Sequence, residues 1–376
     1  MAQGLEQLDV ASQAGWREFL AWMPEGWEEQ MVQRGAFVRA RGLKCAEDLL
    51  RLIFAYTVLR LSLANLSRWA QQEGLGDFAE PSLWARFHGA EEFLSWLVAA
   101  LLRPMAPLPA AGLRLIAVDA TSFSLPASAG KDWLVHCTWS GGQAVGLRVC
   151  QARGAGAGES IKHLPQEWPP GSVLVGDRAY GTPSQLQAAA ARGLQVITRF
   201  SWNHLALYTQ AAGGELVKPR RQLAKMRAGQ VREISAWVRP PDAPPLAVRI
   251  ILIRKGRKHA ERAARACRYE SQRKGRTVRD LTLYLAGYVT LVTTVPGAAA
   301  SAQEIADAYR WRWQIELAFK QFKSTTLARR LPVKNTASVA AYLLSLLAVW
   351  LITMRISRER FFFPWDVPLQ PARRGR

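Results

Sequence analysis

Apolar residues fall at intervals of three and four through the first hundred residues, and in runs or alternation after that. The stretches "AEDLLRLIFAYTVLRLSL" (46–63) and "EEFLSWLVAALL" (91–102) have the helical spacing. The polar, glycine-containing "GLGDFAEP" separates them. Between them, "SLANLSRWAQQEG" reads either as ordinary helix packing or as a helix-turn-helix piece for recognising DNA ends. The linker "RPMAPLPAAG" closes this helical region at about residue 104.

Beyond the linker the pattern is that of strands. "LRLIAVDA" is an apolar run ended by Asp119, and "SVLVGDRAYG" repeats the arrangement at Asp177. "WLVHCTWS" and "AVGLRVCQA" flank Gly141 and Gly142 as the arms of a hairpin. "PSQLQAAAARG" predicts a helix closed by Gly193, and "LQVITRF" a further strand. The order is three strands, a connection, then strand, helix, strand, which predicts an α/β fold. Residues 201–290 interrupt it with proline-rich, basic and short strand-like pieces, the last such as "REISAWV" and "LAVRIILI", read as a β-rich insertion. The strand "YVTLVTTV" resumes the core, and Tyr288 at its start reads as a core residue ahead of a base-stacking one.

A helix follows. Ser301 with Glu304 three residues on is a capping box, contributing about 1 kcal/mol at the start. The helix is predicted to run without interruption through "YRWRWQIELAFKQFK" (309–323). Ala308, Trp311, Ile315, Ala318, Phe319 and Phe322 share one buried face. Tyr309, Arg312, Glu316, Lys320 and Lys323 share an adjacent stripe. A lone carboxylate among cations has two readings. In one, Arg312 and Lys320 pair with Glu316 on the surface, each pair contributing ~0.3 kcal/mol. In the other, Glu316 faces a divalent metal while its neighbours hold phosphate oxygens.

Charge changes the balance between these readings. The 376-residue chain carries a formal net charge of +21. Residues 200–290 hold 19 basic against 6 acidic groups, and residues 291–376 hold 13 against 5, whereas the first 104 residues are slightly acidic. An excess so placed points to a polyanionic partner, most simply nucleic acid. The four cysteines show no paired spacing, which speaks against a disulfide framework or zinc module and fits a reducing cytoplasm. The N-terminus has no basic start followed by an apolar core, so no secretory signal is expected. "ASVAAYLLSLLAVWLITM" approaches the length that crosses a bilayer, but Tyr342 and Ser345 interrupt it and it reads as a buried helix. The fifteen tryptophans read as packing residues, and the tail "ERFFFPWDVPLQPARRGR" as a docking tail or a cut end.

The two aspartates carry the chemistry. A single aspartate ending a strand is usually a turn residue. Two of them at the ends of apolar strands of one sheet share an edge, where carboxylates repel unless a cation joins them. With a glutamate on a basic stripe they suit two-metal phosphodiester chemistry.

At this point the motifs resemble a known family. Tyr309, Arg312, Glu316 and Lys323 are spaced as in the Y-R-E-K signature of bacterial D-D-E transposases of the insertion sequence 4 family. "VDATSF" around Asp119, "GDRAYG" around Asp177 and "GESIKHLP" before it are similar to that family's segments in order and setting. The resemblance covers roughly residues 45–355. It implies an RNase H-like catalytic core (105–200 and 286–335) with a β-rich basic insertion (201–285). A helical N-terminal domain (1–104) precedes the core, and a C-terminal helix and tail (336–376) follow. It implies that Asp119, Asp177 and Glu316 bind two Mg2+ ions, for which Mn2+ substitutes, and cleave and join DNA strands. Tyr309, Arg312 and Lys323 are then contacts to transposon-end DNA, and Lys320 joins them by helix geometry. The expected partners are double-stranded DNA, as transposon ends and target, and a second copy of the chain in a homodimer. No membrane partner is expected, and the protein is placed in the bacterial cytoplasm at the nucleoid. The alternatives are a catalytically idle DNA-binding derivative and a non-mobile nuclease with the same core.

Overall fold

The computed structural model describes residues 13–38, 42–102, 109–110, 113–126, 128, 130–141, 143–152, 158–164, 168–169, 171–326, 331–333 and 338–360. Six helices come first: α1 (Gln13–Leu20), α2 (Trp27–Gln33), α3 (Ala46–Val58), α4 (Leu63–Gln72), α5 (Glu80–Gly89) and α6 (Glu91–Leu101). The strands and helices β1 (Pro109–Ala110), β2 (Leu113–Phe123), β3 (Trp133–Ser140), β4 (Gln143–Gln151), β5 (Ser172–Gly176), α7 (Pro183–Ala190) and β6 (Gln195–Arg199) follow. Then come α8 (Pro219–Leu223), β7 (Val231–Val238), β8 (Leu246–Arg254), α9 (Arg257–Arg273), α10 (Asp280–Ala286) and β9 (Tyr288–Thr293). The last helices are α11 (Ala302–Arg310), α12 (Trp313–Thr325) and α13 (Val339–Arg360).

The chain divides into two compact units, one of residues 1–105, 120–158 and 316–376, the other of residues 106–119 and 159–315. The second unit is built on a sheet in the order β2-β5-β6-β9-β8-β7. β5 runs parallel to both β2 and β6, and all five of its residues are buried, as a central parallel strand covered on both faces requires. β6, β9, β8 and β7 pair antiparallel. On one face Leu115, Val173, Val175, Ile197, Ile251 and Leu291 pack with Ile305 and Ala308 of α11. Burial of this surface, at about 25 cal/mol per Å² of apolar area, is what seats α11 on the sheet.

In the first unit, β3 and β4 form the hairpin expected from the sequence, with Gly141 at φ 60° in its turn. α13 packs on α6, α3 and β4. It is long and apolar enough to cross a membrane, yet 83% of its apolar window is buried inside the protein. Phe322 of α12 lies 5.9 Å from Phe123 at the end of β2 and 5.5 Å from Trp350, which lies 6.2 Å from Trp139 of β3. These rings seat α12 between the end of β2 and α13.

The structure changes or completes the sequence reading at four places. The helix read as continuous through 309–323 is two helices, because α11 ends at Arg310 and a turn at Trp311–Arg312 precedes α12. There the N–H groups of Trp311, Arg312, Gln314 and Ile315 bond to carbonyls three residues back, so the backbone tightens. "SLANLSRWAQQEG" holds one helix, α4, capped by the Ser62 hydroxyl accepting from the Asn65 N–H at 3.2 Å. α5 begins at Glu80, within the separator "GLGDFAEP", and fills the stretch up to α6 that the sequence reading left unassigned. The segment read as β-rich holds, besides β7 and β8, the 17-residue helix α9, whose charge hid a helical pattern of small residues. The tail beyond residue 360 lies outside the described residues.

Candidate active site

Ala117 of β2 stands opposite Val175 of β5, and Asp119 and Asp177 each come two residues later. Side chains alternate along a strand, so both aspartates fall on the face of Leu115, Val173 and Val175, the face that α11 covers. Thr198 of β6 stands opposite Gly176, which sets Arg199 beside Asp177 in the same way. Asp119 follows the last β2 residues paired with β5, although β2 itself continues to Phe123, Asp177 directly follows β5, and Arg199 ends β6, so the three stand at the carboxyl edge of the parallel pairing, where binding sites form.

The local sequence around Asp177 explains its position. Its Oδ1 accepts the Ala179 N–H at 2.8 Å and so caps the 3-10 turn Arg178–Tyr180. A Cβ on Gly176 would strike the Tyr180 ring, and one on Gly181 would strike the Arg199 carbonyl. The two glycines of "GDRAYG" let the turn lie directly against β6.

Arg312 approaches Asp119, with Nη1 3.6 Å from Oδ2, and both side chains are mostly shielded, at 15% and 17% exposure. Its Nε donates to the Tyr309 hydroxyl at 3.1 Å, so the stripe pairing of residues three apart survives the break in the helix. Tyr309 is held above the usual phenol range by burial, against the opposing influence of Arg312 and Arg199. Glu316 and Lys320 are exposed on α12. Lys323 is half-buried, donating from Nζ to the Ser122 carbonyl at 3.2 Å with Phe123 beneath it at 5.1 Å. Loss of hydration, then Lys131, lowers its affinity for its proton. Tyr288 is buried, as a core residue should be, and donates to the Leu223 carbonyl at 3.1 Å.

Three further cations stand here that the sequence reading did not name as site residues. Arg178 lies below the usual arginine range through desolvation and then the field of Arg199. Lys255 is lowered by desolvation and then by Arg199 and Arg178. Arg199 thus acts on Arg178, and both act on Lys255, so the three cations lie near one another, which costs energy until an anion joins them. The strand-end rule applied to β6 would have found Arg199; nothing local marks Lys255.

Among the described residues, no three His, Cys, Asp or Glu side chains are grouped closely enough to hold an ion. Asp119 and Asp177 belong to the sheet unit, while the boundary between units falls just before Glu316. The positive charge beside Asp119 is the Arg312 guanidinium. In chemistry the three carboxylates suit a hard divalent cation such as Mg2+, which takes oxygen ligands.

Comparison with known proteins identifies the class. The transposase DDE domain family matches residues 110–352, well over half of the chain, and the chain belongs to that family. It is therefore a DNA transposase, an enzyme of the metal-dependent DDE type. Among particular proteins, it is similar to the putative transposase InsL for insertion sequence element IS186A of Escherichia coli. The two are 29% identical over 353 residues, 91% of this chain and 94% of that one. The transposase for insertion sequence element IS421 of Escherichia coli is 28% identical over 354 residues, with the same coverage of both chains. The transposase for insertion sequence element IS231E of Bacillus thuringiensis subsp. finitimus is 28% identical over 168 residues, 41% of this chain and 35% of that one.

Proposed function

We propose that this transposase is of the insertion sequence 4 type, with Tyr309, Arg312, Glu316 and Lys323 as its signature. In this reading residues 105–200 and 286–335 form an RNase H-like core interrupted by an insertion at 201–285. Residues 1–104 are a helical domain that helps recognise DNA ends, and residues 336–376 a C-terminal helix and tail. The substrate is duplex DNA bearing terminal inverted repeats. The reaction is hydrolytic nicking followed by attack of the freed 3′-hydroxyl on target DNA, performed by a homodimer in the cytoplasm at the nucleoid.

The observation that carries this reading is the registered pair Asp119 and Asp177, flanked by Arg199 and approached by Arg312. Asp119, Asp177 and Glu316 would hold two Mg2+ ions, with Mn2+ able to substitute. Bound there, the ions would neutralise charge at the scissile phosphate and make water acidic enough to act as nucleophile. The protein's own groups orient the strand. Arg312 and Tyr309 offer donors to phosphate oxygens next to the carboxylates, and Arg199, Arg178 and Lys255 extend the basic floor beside Asp177. Lys320 and Lys323 contact the backbone further along.

The test is divalent-ion-dependent cleavage of a labelled duplex carrying the ends that flank the gene. Asp119→Asn, Asp177→Asn and Glu316→Gln should each lower the rate roughly a thousandfold, about 4 kcal/mol of transition-state stabilisation, with binding of the ends retained. A Glu316→Gln protein cleaving as fast as the unaltered one would remove Glu316 from the site.

A further inference from the structure

α9 carries six arginines and lysines against two glutamates and has no buried residue. Its half-buried side is small: Ala260, Ala263, Ala264, Cys267 and Ser271 recur at helical spacing. Cys267 on that side contributes to the electrostatics of Arg178 and Lys255, so this face turns toward the cluster beside Asp177. The opposite side presents Lys258, Arg262, Arg265, Tyr269 and Arg273, spaced four, three, four and four apart, all exposed. Tyr269 is 70% exposed, unusual for a large aromatic ring.

The acidic residues lie off this stripe and are already engaged. Glu261 pairs with Arg257 at 2.9 Å, and Glu270 with Arg273 at 3.0 Å and Lys274 at 2.8 Å. Among the described residues, Lys258, Arg262 and Arg265 have no acidic partner. A helix whose charges served only for solvation would alternate signs at these spacings. Like charges three and four residues apart instead destabilise a helix by a few tenths of a kcal/mol per pair, so the stripe is complete only against a polyanion. From Lys258 to Arg273 the ridge runs about 22 Å, the length of about six base pairs.

We propose that this outer stripe of α9 is a second DNA-contact surface, facing away from the cluster beside Asp177, that grips duplex phosphates without reading sequence. It rests on the assignment of the protein as a DNA transposase and adds to it a surface that supplies affinity and not chemistry. Lys258, Arg262 and Arg265 are its phosphate contacts, and the Tyr269 hydroxyl donates beside them.

The test uses the full chain and a labelled duplex of scrambled sequence, in EDTA so that no cleavage is read, with binding followed by anisotropy as salt is raised. Replacing Lys258, Arg262 and Arg265 together by Ala should flatten the slope of log K against log salt by about 2.7, and each single replacement by about 0.9. Between about 50 and 200 mM salt the unaltered protein should lose about forty-fold more affinity than the triple variant. Alanine is the strongest helix former, so far-UV circular dichroism should be unchanged. A control triple, Lys258→Arg, Arg262→Lys and Arg265→Lys, keeps the charge of the stripe and should leave the slope as it was. An unchanged slope in the α9 triple, or an equal fall in the control, overturns the proposal. Because no cleavage is measured, failure of the cleavage experiment above leaves this result standing, and failure here leaves that one standing.

Discussion

Arg249 on β8 ties the sheet to the segment that delivers α11. Its Nε and Nη2 donate to the two oxygens of Glu233 on β7, at 2.6 and 2.8 Å, while Nη1 donates to the carbonyls of Val295 and Ala300 at 2.9 and 2.8 Å. Val295 and Ala300 are buried and bracket the turn from β9 to the capped start of α11, where the Ser301 N–H donates to Glu304 at 2.8 Å. Arg249→Met keeps the aliphatic stem and removes every donor. Glu233 is one-third exposed, so water replaces its partner and the loss there is at most about 1 kcal/mol. The two buried carbonyls lose a donor with less access to water, at about 1–3 kcal/mol each. The expected cost is about 2–7 kcal/mol, concentrated locally.

Hydrogen exchange of residues 295–305 reads this directly, and protection there should fall about thirty-fold or more. Glu233→Gln, which spares both carbonyl bonds, should cost no more than about 1 kcal/mol. The acid limb supplies a second reading. Arg249 holds the Glu233 carboxyl below the usual carboxylate range. The pair's contribution is therefore complete above the ordinary glutamate pKa and is lost as pH falls through the lowered one. Arg249→Met should remove that acid-side dependence. Equal protection in Arg249→Met and Glu233→Gln would refute the argument, since the two carbonyl bonds would then contribute nothing.

Other consequences follow from named contacts. Gly181→Ala drives a Cβ into the Arg199 carbonyl, so the Asp177 turn must lift from β6; thermal unfolding should show a loss of about 1–3 kcal/mol, and cleavage should fall with it. In the first unit, the Thr57 and Ser345 hydroxyls lie 2.8 Å apart and the Tyr342 hydroxyl donates to the Thr57 carbonyl at 3.1 Å, all buried. Burial raises the Tyr342 phenol above its usual range, so it stays a neutral donor. Tyr342→Phe and Ser345→Ala should each cost about 1 kcal/mol in denaturation, and a neutral result for both would mean that water or a shifted rotamer takes over the bonds.

What the sequence alone determined is what depends on near neighbours. The run before Asp177 marked a strand end, the run before Asp119 marked the part of β2 that pairs with β5 though that strand goes on to Phe123, the Ser301–Glu304 box marked the start of α11, and the apolar positions from Ala308 to Phe322 marked the side that is buried. The placing of Tyr309 and Arg312 on one stripe followed from a spacing of three, and the two side chains meet through the turn between α11 and α12. The Y-R-E-K resemblance carried the functional reading further than these patterns could, and the DDE family match supports its coarser part.

Tertiary structure decided everything that depends on register and on distant partners. Asp119, Asp177 and Arg199 stand side by side only because β2, β5 and β6 pair in parallel with the offsets observed, and a slip of one residue would turn a strand's side chains to the opposite face. Arg312 meets Asp119 from 193 positions away in the chain, at the turn where α11 stops. α9 was hidden for a related reason: its small residues carry little hydrophobic signal, and its cations resemble a solvated run until the fold shows which side is covered. A sequence pattern reports the few residues around each position, whereas a site is assembled from side chains that only the paired strands bring within reach.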